Sequence, residues 1–541
     1  MTGQARKSRA SGRLPAPGRL VSGSGQPVHG APTTSASAPD SAEVSESKAI
    51  ELFFGLVGPT GVDLTRLCSA LQEQLKLVGY DSRVVRLSEL IFPYLGAAAA
   101  STNEYQRIDE LMTAGTKLRR LTKQGDVIGR LGLARIRALR KEETGSEDVC
   151  PKRGMAYIVR SFKRPEEVAL FRSAYGKAFN LISIYAPRQF RVQHLTRRFQ
   201  GIKVSDGDSP EQLAVRLITR DHEEDGKLGQ QLGRTFPLAD FFVTSAARNQ
   251  LATHMRRLVR LIFGDPYISP TKDEEGMFFA QAAALRSLDL SRQVGASIVN
   301  IDGDILATGC NEVPKFGGGL YWESDPEVAR DAELGRDANT TIKAELVEDA
   351  VRRMREKGWL ADALLKRSDH ELAHGSLFGK DAFFRDSRLF DVIEFGRAVH
   401  AEMAAITQAA KLGVPLRKSR MFCTTFPCHI CARHIVASGI EELVFIEPYE
   451  KSRTNELFAD SISVEPSEPS PKRANFRSFV GVAPRRYMDF FSLGSERKTP
   501  EGETLDADAI ASRPRVSRYV VTYLLIEEKM IEQMAARPTP I

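Results

Sequence analysis

The chain has 541 residues, a formal net charge of +7 and 42% hydrophobic residues, enough for two or three domains with real cores. No uninterrupted apolar stretch reaches the roughly 18 residues that suggest a membrane span, and the first residues lack the apolar core of a signal peptide. Six cysteines fit a reducing cytoplasm better than a disulfide framework, and a positive charge spread along the chain does not demand a nucleic-acid partner.

Residues 1–48, rich in Ser, Gly, Pro and Ala, are basic up to Arg19 and acidic near Glu43 and Glu46. That composition cannot bury enough apolar surface to order itself, so a disordered tail is expected. Ile50 to Val57 reads as a buried strand, Gly58-Pro59-Thr60-Gly61-Val62-Asp63 as a Gly-rich turn, Leu64 to Val78 as a helix and Ser82 to Leu87 as a second strand. A strand, a Gly-rich turn and a helix make a phosphate cradle, with Gly55, Gly58 and Gly61 as candidate nucleotide-binding positions. The departure is Gly61-Val62-Asp63 where a phosphate loop needs Gly-Lys-Ser/Thr. Asp63 would either repel a phosphate or cap the helix.

Arg107 to Arg120 is expected to be helical, Ala156 to Lys163 a strand, Pro165 the start of a helix, and Phe179 to Tyr185 and Asp240 to Val243 further strands. Thr219-Arg220-Asp221 ahead of Gly229-Gln230-Gln231 reads as a polar loop or a lid. Residues 49–248 thus resemble the P-loop nucleoside and nucleotide kinases. The degenerate motif favours a nucleotide-binding, regulatory or scaffolding role over phosphoryl transfer.

From residue 249 onward the pattern changes. A helix near Gly276–Ser287 carries Arg286, and Arg292 follows it. Ile298-Val299, a turn at Asp302-Gly303 and Ile305 to Thr308 form a hairpin that ends in Gly309-Cys310-Asn311. An insertion over about 315–395 opens with Gly317 to Trp322 and holds a charged helical stretch around Glu345–Lys357. It is a lid, an allosteric site, an oligomer contact or an elaborated surface. Two motifs follow, His400-Ala401-Glu402 and Pro427-Cys428-His429-Ile430-Cys431, each opening a helical segment, with strands at Met421–Thr424 and Leu443–Ile446. Arg518 to Ile526 carries a strand signal, either completing this sheet or pairing with a neighbouring subunit.

His400, Cys428 and Cys431 supply one imidazole and two thiolates, which can hold zinc with an open coordination position. The cysteines lie three apart, so on a helix's first turn they share a face, and the helix's positive end favours their ionised form. Glu402, two residues from His400, points another way and is better placed to carry a proton than to bind metal. The alternatives are a structural site, with His429 or His434 as fourth ligand, or a redox pair.

This stretch resembles the cytidine and deoxycytidylate deaminase superfamily. The resemblance implies a five-stranded mixed sheet with helices on both sides, zinc as cofactor, Asn311 touching the nucleoside, and Arg286 or Arg292 near a phosphate. On the residues alone, either arginine could make a surface salt bridge and Asn311 could be a turn residue. The whole is an α/β chain, a kinase-like domain ahead of a deaminase domain, and resembles the bacterial anti-phage cytidine deaminases. That resemblance implies deamination of dCTP and dCMP to dUTP and dUMP, an inhibitory small RNA and a homo-oligomer. Rival readings are a housekeeping dCMP deaminase of pyrimidine metabolism, a binding protein with a vestigial site, and a polynucleotide-editing deaminase. The last needs a basic groove with aromatics, whereas Trp occurs twice and Lys117–Arg120 and Met255–Arg260 read as solvated helix faces.

Overall fold

Leu52-Phe53-Phe54-Gly55-Leu56-Val57 is buried at every position, as expected of a strand inside a sheet covered on both faces. This computed structural model describes residues 51–534 apart from 97–100, 102, 146–150, 152–153, 203–206, 225, 246–249, 381, 385–386, 388–391, 450–451, 467, 507–513 and 516–521. The tail expected over 1–48 lies outside the described residues.

The first sheet contains β1 (Leu52–Val57), β2 (Asp81–Arg86), β3 (Met155–Arg160), β4 (Phe179–Tyr185) and β5 (Phe241–Thr244), all parallel, in the order β2-β3-β1-β4-β5. Side chains alternate between its faces. Leu52, Phe54 and Leu56 meet helices Leu64–Leu77 and Leu251–Ile262. Phe53 and Val57 meet helices Val127–Thr144 and Pro165–Tyr175. A Cβ on Gly55 would lie 2.7 Å from Leu181 Cδ1, so this glycine serves strand packing.

The second sheet contains β6 (Gly295–Val299), β7 (Ile305–Cys310), β8 (Arg420–Thr425), β9 (Glu442–Glu447), β10 (Ile462–Val464) and β11 (Ala474–Ser478), in the order β7-β6-β8-β9-β11-β10. β6 is antiparallel to β7 and β8, and the remaining pairs are parallel. The sheet is mixed, as expected, but has six strands rather than five. The extra edge strand β10 is only three residues long, too short for a period-two pattern to register. Helix Lys272–Ala284 covers one face, setting Met277 and Ala280 against Val299, Phe422 and Val444. Helices Ala401–Leu412 and His429–Ala437 cover the other, with Ala401, Ala405 and Ile435 against Ile298, Met421 and Leu443.

A two-residue strand, β12 (Gly481–Val482), begins just past β11 and pairs antiparallel with β5 of the first sheet. The buried carboxylate of Glu274 secures the crossing, accepting N–H groups of Val482 and Thr271, each at 2.8 Å, and Arg257 Nη2 at 2.6 Å. Within the insertion, helices Ala338–Glu356 and Asp369–Phe378 pack through a small cluster of Val347, Val351, Ala373 and Leu377. Among the described residues no helix is long and apolar enough to cross a membrane.

Three local expectations need correction. Thr219-Arg220-Asp221 is not a loop but the last turn of helix Pro210–His222, started by a Ser209–Gln212 capping box and anchored by buried Leu213, Leu217 and Ile218, whereas Gly229-Gln230-Gln231 lies in the loop that follows. The strand expected over 518–526 is contradicted from Thr522 onward, where helix Thr522–Glu532 runs; 516–521 lie outside the described residues. Tyr523, Ile526 and Met530 pack on the first sheet's core at helical spacing, so tertiary burial overrides local β preference. Finally, Lys117 and Arg120 are exposed as expected of a solvated helix face, but Arg119 is turned inward and buried.

Candidate active site

Two helix starts converge at one end of the second sheet. His400 is the N-cap residue of helix Ala401–Leu412, and its carbonyl accepts Ala404 N–H at 2.8 Å. The residue before it, Val399, exchanges two backbone hydrogen bonds with Glu312, which pins His400 to the loop leaving β7. Gly309 allows close approach, since a Cβ there would lie 2.4 Å from Ala401 O. Cys428 caps helix His429–Ala437, and Cys431 N–H donates to Cys428 Sγ at 3.5 Å. Ser452 Oγ donates to Pro427 O at 2.8 Å and steadies the preceding turn.

His400 Nδ1 lies 3.4 Å from Cys428 Sγ and 3.3 Å from Cys431 Sγ. Four-coordinate zinc, with bonds of about 2.0–2.3 Å, spaces such donors about 3.5 Å apart, so the set matches in chemistry and size. Among the described residues this trio is the one group of donors close enough to share a metal ion, all within 4.8 Å of one another. Neither His429 nor His434 joins it, so the four-ligand structural alternative is not assembled. The charges also call for a cation. The hydrogen bond from Cys431, with His400 beside it, pulls the Cys428 thiol down to about 4 against the effect of burial. Cys431 is pushed up, because it donates to Cys428 and is itself buried. Both sulfurs can be thiolates together only with positive charge between them.

Glu402, in the first turn after His400, is buried with 4% exposure. Burial, then the nearby Cys428 sulfur, raises its pKa above the ordinary carboxylate range, with His400 opposing. A carboxyl shifted in that direction holds a proton more readily than a free one, as a group that takes and returns protons must.

The other expected residues lie in different settings. Asn311 is buried; its Oδ1 accepts Val294 N–H at 2.7 Å and its Nδ2 donates to Arg292 O at 2.8 Å, tying the segment before β6 to the end of β7. Arg292 pairs with Glu447 at 2.8 Å. The guanidinium of Arg286 stacks on Trp322, 3.5 Å from the ring centroid, and donates to Leu320 O and Tyr321 O at the start of the insertion. Gly58 and Gly61 lie in the turn after β1, Gly61 with φ +97°. Asp63 caps the following helix, accepting Thr65 and Arg66 N–H groups at 3.0 and 3.2 Å. Sequence reasoning missed Glu312, a buried carboxylate that accepts Leu288 and Val313 N–H groups beside the His400 strand pairing. Its one signal was a charge between Asn311 and the apolar Val313 at the end of a strand.

Residues 270–447 match the family model described as the cytidine and deoxycytidylate deaminase zinc-binding region. Among curated proteins, ComE operon protein 2 of Bacillus subtilis (strain 168) is 36% identical over 74 residues, covering 13% of this chain and 39% of that protein. Deoxycytidylate deaminase of Enterobacteria phage T2 is 42% identical over 55 residues, 10% of this chain and 29% of that one. The chain thus spans well under half the length of these relatives. The solved apo structure of the dCMP deaminase from cyanophage S-TIM5 is similar at 16% identity and a TM-score of 0.20, covering 39% of this chain and 99% of that one. The matched region brackets all three donors and Glu402, and zinc is the cofactor that the donor set fits.

Proposed function

We propose that this chain is a zinc-dependent hydrolytic deaminase of deoxycytidine nucleotides, converting dCMP, dCTP or both to the uracil nucleotide and ammonia. The observation that carries this is the convergence of His400, Cys428 and Cys431 next to a buried carboxyl whose pKa is raised. The deoxycytidylate deaminases among its relatives support the substrate class.

His400 Nδ1 and the two sulfurs would hold a zinc ion, which would supply Lewis acidity to the attacking water. Glu402 accepts the proton of the attacking water, and its raised pKa lets it keep that proton until the pyrimidine needs it. The water oxygen adds to C4 of the cytosine ring as Glu402 protonates N3. Glu402 then passes the second water proton to the exocyclic amine, the C4–N bond breaks, and ammonia leaves as the C4 carbonyl of uracil forms. Cytosine plus water gives uracil plus ammonia, with no redox change. In this reading Asn311 stands at the nucleoside end, and Arg286 or Arg292 meets the phosphate.

The parallel first sheet ahead of this site, with its Gly-containing turn, is read here as a kinase-like domain, which would fit a wider role, namely depletion of deoxycytidine nucleotides in defence against phage. An inhibitory small RNA and a homo-oligomeric state belong to that same proposal. The test is to incubate the purified full chain with dCMP, dCTP and a cytosine-containing single-stranded DNA, following uracil and ammonia. Uracil is expected from a free nucleotide and not from the oligonucleotide. Conversion of the oligonucleotide alone would favour polynucleotide editing, and no conversion by zinc-loaded protein would contradict deamination.

A further inference from the structure

The insertion carries a further ligand pattern, remote in sequence from both zinc motifs. His370-Glu371-Leu372-Ala373-His374 reads His-Glu-x-x-His, and all five residues lie in helix Asp369–Phe378. Two histidines four apart share one face of a helix, the spacing at which a pair of imidazoles can chelate a divalent ion. Ala373 and Leu377 of this helix pack against Val347 and Val351 of helix Ala338–Glu356, while His370 and His374 stay exposed beside that seam.

A third donor comes from across the seam. Glu348 Oε2 lies 3.1 Å from His370 Nδ1. The ion pair of Arg355 and Asp369, at 2.7 Å, fixes how the two helices run past each other. Glu348 precedes Arg355 by about two turns and His374 follows Asp369 by about one and a half, so antiparallel packing brings both to nearly the same level. The His374 ring leans on Phe378, with centroids 5.1 Å apart, and its centroid stands 6.0 Å from that of His370. The three donors are therefore one side-chain rotation short of a shared ion, and exposed side chains make such rotations freely.

The glutamate inside the pattern decides its chemistry. In a hydrolytic site of this spacing that residue is the general base. Glu371 is instead spent on starting its own helix: its Oε2 accepts Ser368 N–H at 2.9 Å, and Ser368 Oγ accepts Glu371 N–H at 3.1 Å. The hydrogen bonds with Ser368 hold its carboxyl below the usual range, which suits a cap and not a base.

We propose that His370, His374 and Glu348 form a second metal site, which takes a divalent transition-metal ion and staples the two insertion helices together. Two imidazoles and a carboxylate favour Ni²⁺, Cu²⁺ or Zn²⁺ over Mg²⁺ or Ca²⁺. Open to water, and with one ring to reorient, the site binds weakly and gives up its ion during purification, unlike the buried set at His400.

The test titrates Ni²⁺ into the untagged, zinc-loaded full chain by calorimetry, with zinc content measured before and after to show that the His400 set is undisturbed. It reads metal binding alone, independently of deamination. One ion should bind per chain, and His374→Ala and Glu348→Gln should each weaken it at least about tenfold, because the donors of a chelate act jointly. These side chains are exposed, and a cooperative melt certifies that the variants fold. Ni²⁺ should also slow amide exchange in both insertion helices of the unaltered chain and in neither helix of His374→Ala. Equal nickel affinity in the unaltered chain and His374→Ala overturns the site. A loss in His374→Ala without one in Glu348→Gln, or exchange that nickel leaves unchanged, overturns the staple.

Discussion

The two motif-bearing turns, one on each sheet, face opposite electrostatic problems. At the end of the second sheet, two sulfurs and an imidazole crowd together, and the two thiols cannot both ionise without a positive partner. At the end of the first sheet, Lys163 and the Thr60 N–H meet a carboxylate that the chain supplies itself, that of Asp221. A site that gathers like donors calls for an ion from outside, whereas one that pairs opposite charges is complete without a ligand. Residue motifs alone do not separate these cases, because a Gly-rich turn and a Cys-x-x-Cys pair look equally like binding sites until their neighbours are known.

The harshest way to break the contrast is at the sulfurs. Cys431→Ser should remove zinc and deaminase activity together, since its sulfur is one of only three donors. Metal analysis of purified protein checks this, and full zinc occupancy in that variant would mean that the ion is held elsewhere.

The internal pairing of the first sheet can be tested next at Arg140, whose guanidinium is fully buried between Glu51 and Glu527. Arg140→Met leaves two buried carboxylates facing each other and should cost about 3–5 kcal/mol in urea unfolding. A near-neutral result would show that these charges are not held by each other.

The gentlest test is Asp273, at the end of the second sheet away from zinc. Burial alone would raise its pKa, but Arg477 and Arg420 outweigh burial and hold it below the usual carboxylate value. A depressed folded pKa stabilises above the unfolded value and is lost as pH falls through the folded one. Asp273→Asn should therefore melt below the unaltered chain at pH 7, with the gap closing as pH drops below about 4. A gap that stays constant with pH would remove the ion pairs from the account.

Much of this was legible in the sequence where the signal is local. β1 reads as a strand because burial on both faces writes a continuous apolar run, and β4 because that run is broken only by Asn180 and Ser183. His400, Cys428 and Cys431 were legible because ligand chemistry resides in residue type and short spacing. The rest depends on distant partners. Asp221 acts on Thr60 across 161 positions, and nothing near it in sequence marks that role. Helix Thr522–Glu532 is set by packing on elements as far away as 400 positions in sequence (Arg130 bonds Met530 O). The two backbone groups that the Asn311 amide bonds come near it only once the hairpin closes.

The central claim is that three donors hold zinc beside a carboxyl that carries the proton. Paired measurement of zinc content and ammonia release from dCMP, for the unaltered chain and Glu402→Gln, tests it most directly. Zinc should be equal in the two, while turnover falls by about 10²–10⁴-fold in the variant. Near-normal turnover in Glu402→Gln, or an unaltered chain that takes up no zinc, would contradict the account.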